Sequence, residues 1–159
     1  MGSNVGDREA HLARAIRGLG AAGQVTGLSS VYDTDPVGFV DQGAFLNMVV
    51  RLETRLPPRD LLALARAIED GEGRERTFRN APRTLDVDIL LYGDLRVREP
   101  GLTIPHPRMG TRPFVLFPLL ELDPLLRDPV TGREYASMLE GEPAGIRRLY
   151  AGERLAEGE

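Results

Sequence analysis

The sequence predicts an α+β fold in which helices pack against a mostly antiparallel sheet. Two observations predict it. Helical and extended segments follow one another in the order α, β, β, α, β. And the 159 residues contain no repeat, low-complexity tract or linker, so residues 1–159 read as one domain with one set of packed layers. The helices are expected on one face of the sheet.

Each element has its own signal. From Asp7 to Leu19, apolar Leu12, Ile16 and Leu19 recur at helical spacing; Asp7 is a fitting N-cap, and Gly20 and Gly23 close the segment. Val25 to Asp33, rich in serine and β-branched residues, reads as a strand. Pro36, Gly38 and Gly43 punctuate a loop over 34–43. Ala44 to Glu53 alternates, with Leu46, Met48, Val50 and Leu52 on one face and Phe45, Asn47, Val49 and Arg51 on the other. Pro57-Pro58 opens a second helix to about Glu69, whose apolar stripe is Leu61, Leu64, Ala65 and Ile68. Arg74 to Pro82 has no periodicity and reads as a loop. Leu85 to Tyr92 is the clearest strand in the chain. Arg96-Val97 and Leu102–Ile104 read as short extended pieces, and Phe114 to Leu122 as a short helix. The tail over 134–150 has modest helical character, and the last nine residues read as frayed.

Composition excludes several chemistries. Cysteine is absent, which removes disulfides, thiolate nucleophiles and zinc–sulfur sites. All 20 basic residues are arginine, so there is no lysine for a P-loop, a protein-kinase strand or a Schiff base. A net charge of −4 argues against a general nucleic-acid binder. With no run long enough to span a membrane and no leader pattern after Met1, the expected compartment is the cytoplasm.

The most informative stretch runs from Arg79 to Leu90. In a strand, Asp86 and Asp88 share one face while Leu85, Val87 and Ile89 share the other. Two adjacent carboxylates repel unless a cation sits between them, and Mg²⁺ is usually held by one or two carboxylates plus phosphate oxygens and water. A solvated acidic face is the alternative reading. Arg74, Arg76, Arg79 and Arg83 tip the balance, because guanidinium forks match phosphate oxygens and polyphosphate needs both kinds of cation.

This run, with its Arg-x-x-Asp-x-Asp-Ile-Leu core, resembles the signature of the 6-hydroxymethyl-7,8-dihydropterin pyrophosphokinases. Further segments resemble the family in the same order. They are Gly2-Ser3-Asn4-Val5-Gly6-Asp7, Ser29 to Gly38, Phe45-Leu46-Asn47, Pro105-His106-Pro107-Arg108-Met109 and Arg112 to Leu119. The resemblance covers about residues 2–124. It implies a ferredoxin-like α/β sandwich. Family members begin with an apolar strand, so the first strand is expected to be missing or truncated here.

The resemblance also implies an activity: transfer of pyrophosphate from ATP to the hydroxymethyl group of a reduced pterin, releasing AMP, in folate biosynthesis. Asp86 and Asp88 would hold two Mg²⁺ ions, and Arg83 would contact the phosphates. Arg74 and Arg76 would ride a loop that closes over the nucleotide. With Arg76 and Arg83, residues Glu69, Ile89, His106 and Arg112 would bind ATP. Thr34, Asp35, Val37, Phe45, Asn47 and Phe114 would bind the pterin, the two phenylalanines sandwiching its ring. Phe45 stands where the family usually has tyrosine, and Asn80 where some members carry tryptophan. The expected partners are these small molecules alone, with no nucleic acid or membrane, and the expected state is a monomer. The alternatives are another Mg²⁺-dependent nucleotidyl transferase, or a non-catalytic pterin- or nucleotide-binding module.

Overall fold

The computed structural model describes residues 1–36, 41–141 and 144–157. Helix α1 (Arg8–Leu19) starts where the sequence places it, because the Asp7 carboxylate accepts the Ala10 N–H at 3.1 Å and satisfies one of the orphan first-turn donors. Helix α2 (Pro58–Gly71) follows Pro57, and α3 (Pro113–Leu122) likewise opens on a proline at its first turn.

The two predicted long strands are each broken in the middle. Residues 25–33 divide into β2 (Gly23–Leu28) and β3 (Val31–Thr34), and residues 44–53 into β4 (Phe45–Asn47) and β5 (Val50–Thr54). The breaks face each other. Ser29 N–H donates to the Val49 carbonyl at 2.9 Å, and Val49 N–H donates to Ser29 Oγ at 2.8 Å, so a buried hydroxyl replaces a backbone acceptor. The local kink passes each strand from one ladder to the next without orphaning a backbone group. With β1 (Gly2–Ser3) and a C-terminal β8 (Ile146–Tyr150), the main sheet has the order β1-β4-β3-β8, and β2-β5 extends it; every one of these ladders is antiparallel. A hairpin of β6 (Val97–Glu99) and β7 (Leu102–Ile104) stands apart.

Alternation along β4 and β5 creates two cores. Leu46 and Met48 join Leu12, Ile16 and Ala65 of α1 and α2. Val49 instead joins Leu116 and Leu119 of α3, together with Tyr135. Helices therefore cover both faces, which corrects the expectation of one; α3 is apolar nearly all round and needed a second sheet face to bury it.

The strand predicted over 85–92 is also corrected. Asp86 pairs with Gly2 through reciprocal bonds of 2.9 and 2.8 Å, and Tyr92 makes only an isolated bridge to Asp94. β1 thus lies between β4 and the Asp86 segment, and its ladder ends where Met1 and Met48 exchange backbone bonds. Beyond that point 87–92 runs opposite β5 across an apolar cleft of 520 Å³, lined by Val50, Leu52, Leu61, Val87, Leu91 and Leu122. The segment has strand propensity but no continuous neighbouring strand, and propensity alone does not make a strand. The antiparallel register fixes what would fill the gap. Five apolar β-formers fused before Met1 are expected to enter between β5 and 88–92. They should turn that segment into strand and raise Tm by about 4–8 °C, for a net gain near 2 kcal/mol. Thermal melts followed by circular dichroism check this, and an unchanged Tm would refute it.

The tail differs too. Residues 146–150 form β8 on the outer edge of β3, and 153–157 form a short helix, α4, that buries Leu155 at 6 % exposure in the first core. The helical reading of 134–150 holds only as a 3-10 turn over Tyr135–Met138, and 153–157 are not frayed; residues 142–143 and 158–159 lie outside the described residues.

Candidate active site

The sheet end carrying β1, β4 and Asp86 builds the site. Buried Leu85 and Val87 anchor their segment in the first core, so Asp86 and Asp88 between and after them turn outward into a cleft, as period-two geometry requires. The opening loop fixes what comes before. Asn4 Oδ1 accepts the Arg83 N–H at 2.9 Å, and Asn4 N–H donates to the Arg83 carbonyl at 3.1 Å. Asn80, at φ 59°, makes the turn into Ala81-Pro82-Arg83, and its carbonyl accepts Gln42 Nε2 at 3.0 Å.

Arginines crowd the two acids. Arg74 Nη1 lies 2.7 Å from Asp86 Oδ1 and 2.7 Å from Glu69 Oε2. Arg83 Nε lies 3.5 Å from Asp86 Oδ2. Arg76 pairs with Glu69 and Asp70 at 2.8 and 2.7 Å and is half exposed, while Arg79 is exposed. The two acids therefore titrate apart. Burial pushes Asp86 up, but Arg83 and Arg74 outweigh it and hold its carboxyl below the usual range. Asp88 is raised, first by burial and then by the neighbouring Asp86, with His106 only partly compensating. One acid already has cations; the other faces the cleft with negative charge and no bonded cation.

Hard oxygen donors at this spacing fit Mg²⁺. Among the described residues no cluster of three or more acidic, histidine or cysteine ligands exists, which suits an ion that takes one or two carboxylates and completes its shell with phosphate oxygens and water.

Besides the apolar cleft, which also reaches Asp88, two smaller cavities meet there. The first, 80 Å³, is lined by Thr34, Phe45, Asn47, Asp86, Asp88 and Phe114, with Arg83, Arg112 and Asp35 also on its wall. Inside it the Arg83 guanidinium sits 4.6 Å over the Phe45 ring, and that of Arg112 lies 5.6 Å from the Phe114 ring. Asn47 Nδ2 donates to the buried Thr34 Oγ1 at 2.6 Å, so the amide is held edge-on to the cavity. Gly2 backs this amide: a Cβ there would come within 2.4 Å of Asn47 Oδ1. The second cavity, 240 Å³, is lined by Leu62, Asp88, Ile89, Leu102, Thr103 and His106. His106 is neutral near pH 7, because burial lowers its pKa and Arg112 and Arg108 add to the effect against Asp88. Its Nδ1 accepts the Arg108 N–H at 3.2 Å, which leaves the proton on Nε2.

Most of the expected site residues thus converge: the pterin set on one cavity, and Ile89 and His106 on the other. Val37 lies outside the described residues. Arg112 lines the first cavity rather than the second. Glu69, expected to touch ATP, is 5 % exposed and faces inward, where it accepts the Val87 N–H at 2.9 Å and holds Arg74 and Arg76. Burial raises its pKa even against those donors. Reading the sequence singled out neither Gly2 nor Asn4 by role; a glycine and an amide beside the first strand carry no signal until Asn47 and Arg83 are placed against them.

His11 and Arg14 of α1 tie down the end of α2, where the arginine loop begins, through Glu72 at 2.8 and 2.7 Å. Burial pushes the Glu72 carboxyl up, but the bonds from His11 and Arg14 prevail and lower it. A lowered folded-state pKa gives stability that is present above the usual glutamate range and lost as pH falls below it. Glu72→Gln should therefore cost about 1–2 kcal/mol at pH 7 and less at pH 3, measured by urea unfolding at both. An equal cost at both would contradict the ion-pair origin.

Residues 1–124 match the family model described as 7,8-dihydro-6-hydroxymethylpterin-pyrophosphokinase (HPPK). Among similar proteins are three named 2-amino-4-hydroxy-6-hydroxymethyldihydropteridine pyrophosphokinase. That of Bacillus subtilis is 47 % identical over 136 residues, covering 84 % of this chain and 81 % of the relative. That of Aquifex aeolicus is 40 % identical, with 82 % and 81 % covered, and that of Pseudomonas aeruginosa 41 % identical, with 94 % and 93 % covered. With its carboxylate pair, arginine cluster and aromatic-walled cavity already in place, the chain belongs to the 7,8-dihydro-6-hydroxymethylpterin pyrophosphokinase family.

Proposed function

We propose that the protein transfers the pyrophosphoryl group of ATP to the hydroxymethyl group of 6-hydroxymethyl-7,8-dihydropterin, releasing AMP, as a step of folate biosynthesis. The observation that carries this reading is that Asp88 lines both cavities at once, next to Asp86. A flat heterocycle in the first cavity and a nucleotide in the second bring their reacting ends together at the carboxylate pair.

The residues divide the work. Phe45 and Phe114 offer ring faces to a pterin, where stacking contributes about 0.5–1.5 kcal/mol beyond area burial. Asn47, oriented by Thr34, meets its polar edge. Ile89 and the Nε2–H of His106 line the nucleotide side. Asp86 and Asp88 would hold two Mg²⁺ ions, which neutralise charge on the transferring phosphates and orient the attacking and leaving oxygens. Arg83 and Arg112 add positive charge on the wall of the first cavity, and Arg74 adds it through its bond to Asp86. The substrate hydroxyl oxygen bonds to the β-phosphorus, the bond from that phosphorus to the α–β bridging oxygen breaks, and the hydroxyl proton passes to water. No strong protein base is required, since positioning and electrostatics supply most of such catalysis.

The test uses ATP labelled at the β-phosphorus, Mg²⁺ and the hydroxymethyl pterin. The expected products are unlabelled AMP and a labelled pterin diphosphate. Formation of ADP and a pterin monophosphate, or tight ligand binding with no turnover, would overturn the reading.

A further inference from the structure

Arg74 is placed unusually for a phosphate-binding arginine. Its Nη1 bonds to Asp86 Oδ1 and Glu69 Oε2 at 2.7 Å each, and to the Leu85 carbonyl at 3.3 Å. Its Nε is buried without an acceptor. Asp86 is thereby covered by a protein cation on the carboxylate that faces the cleft. Glu69 is fixed independently, by the backbone N–H of Val87, on the same segment as the acids.

We propose that Arg74 is the stand-in cation of Asp86 in the ligand-free protein, exchanged for metal when the triphosphate arrives, with Glu69 as the tether that keeps it in reach. The inference rests on the metal role proposed above for Asp86. Its physical basis is competition between cations: a metal ion on Asp86 would stand against the Arg74 guanidinium that already lies 2.7 Å from Oδ1, and like charges this close repel. Metal entering without nucleotide meets that repulsion with no new acceptor to draw Arg74 away. Metal entering with nucleotide brings phosphate oxygens, and the acceptorless Nε–H gains a partner. Arg74 thus makes the bare metal ion a poor ligand and the metal–nucleotide complex a good one, and couples occupation of the acids to the position of the arginine loop. Arg76 shares Glu69 but does not touch Asp86, so it serves as the internal comparison.

The experiment titrates the full chain with Mn²⁺ in the absence of nucleotide, reading bound ion by electron paramagnetic resonance. Arg74→Gln is expected to bind Mn²⁺ about tenfold more tightly than wild type, as removal of a close like charge requires. Arg76→Gln should bind as wild type does. Placing Arg74→Gln on an Asp86→Asn background should abolish the gain. With a non-hydrolysable ATP analogue present, the order reverses and Arg74→Gln binds the metal–nucleotide complex more weakly. Unchanged or weakened Mn²⁺ binding in Arg74→Gln, or a gain that survives Asp86→Asn, would overturn the exchange. Failure is separable from that of the proposed reaction. Wild-type turnover with no Mn²⁺ effect discards the exchange alone, whereas tightening without any pterin product keeps the exchange and discards the reaction.

Discussion

Asp86→Asn and Asp88→Asn should each lower kcat by about 10³-fold or more while leaving the fold intact, because each removes a charge that nothing else nearby supplies. The two carboxylates are not equivalent. Asp86 already neutralises Arg74 and Arg83, so its loss removes a metal ligand, strands Arg83 and leaves Arg74 with Glu69 alone. Asp88 is raised by burial and by Asp86, and its loss removes repulsion together with ligation. Asp88→Asn is therefore expected to leave Tm unchanged or slightly higher, whereas Asp86→Asn lowers it. Steady-state kinetics and thermal melts on the two variants check both parts. Near-normal turnover in either one would refute the metal role.

Arg83→Ala is expected to lower kcat/KM by about 10³-fold, and Arg83→Lys to recover little of it. A lysine offers neither the planar fork nor the stacking surface. The guanidinium does three things from one place. It partners Asp86 at 3.5 Å, covers the Phe45 ring at 4.6 Å, and keeps a buried Nε–H without an acceptor beside the cavity. Its backbone is locked on both sides by Asn4, so the loss cannot be made up by a shift of the chain. Since its ring contact lies on the proposed pterin side, KM for the pterin should rise as kcat falls. A variant changed only in KM for ATP would contradict this placement.

What the sequence made legible was local. Asp7 as a cap, the prolines opening α2 and α3, and the outward alternation of Asp86 and Asp88 all depend on neighbours within a few residues. Strand 85–92 had equally good local credentials and failed, because a strand is completed by a partner strand elsewhere in the chain, and here the segment finds only isolated bridges, to Gly2 and to Asp94. The C-terminal β8 was missed for the opposite reason. Its Ile-Arg-Arg-Leu-Tyr run shows little periodicity of its own, and it becomes a strand by borrowing the open edge of β3. The breaks at Ser29 and Val49 could not be read either, since each bulge exists to accommodate the other. At the site, residue types that carry chemistry were visible from spacing and resemblance. The residues that hold them were not: Glu69 looks like a surface acid in the helical pattern, and only its contact with the Val87 N–H shows it to be a buried anchor.

A crystal of the protein grown with Mn²⁺, a non-hydrolysable ATP analogue and 6-hydroxymethylpterin offers the decisive measurement, through anomalous scattering at the manganese edge. Two peaks are expected about 2.0–2.2 Å from the carboxylate oxygens of residues 86 and 88, bridged by phosphate, with the pterin between the rings of Phe45 and Phe114. Ordered nucleotide and pterin with no anomalous signal at either carboxylate would contradict the account.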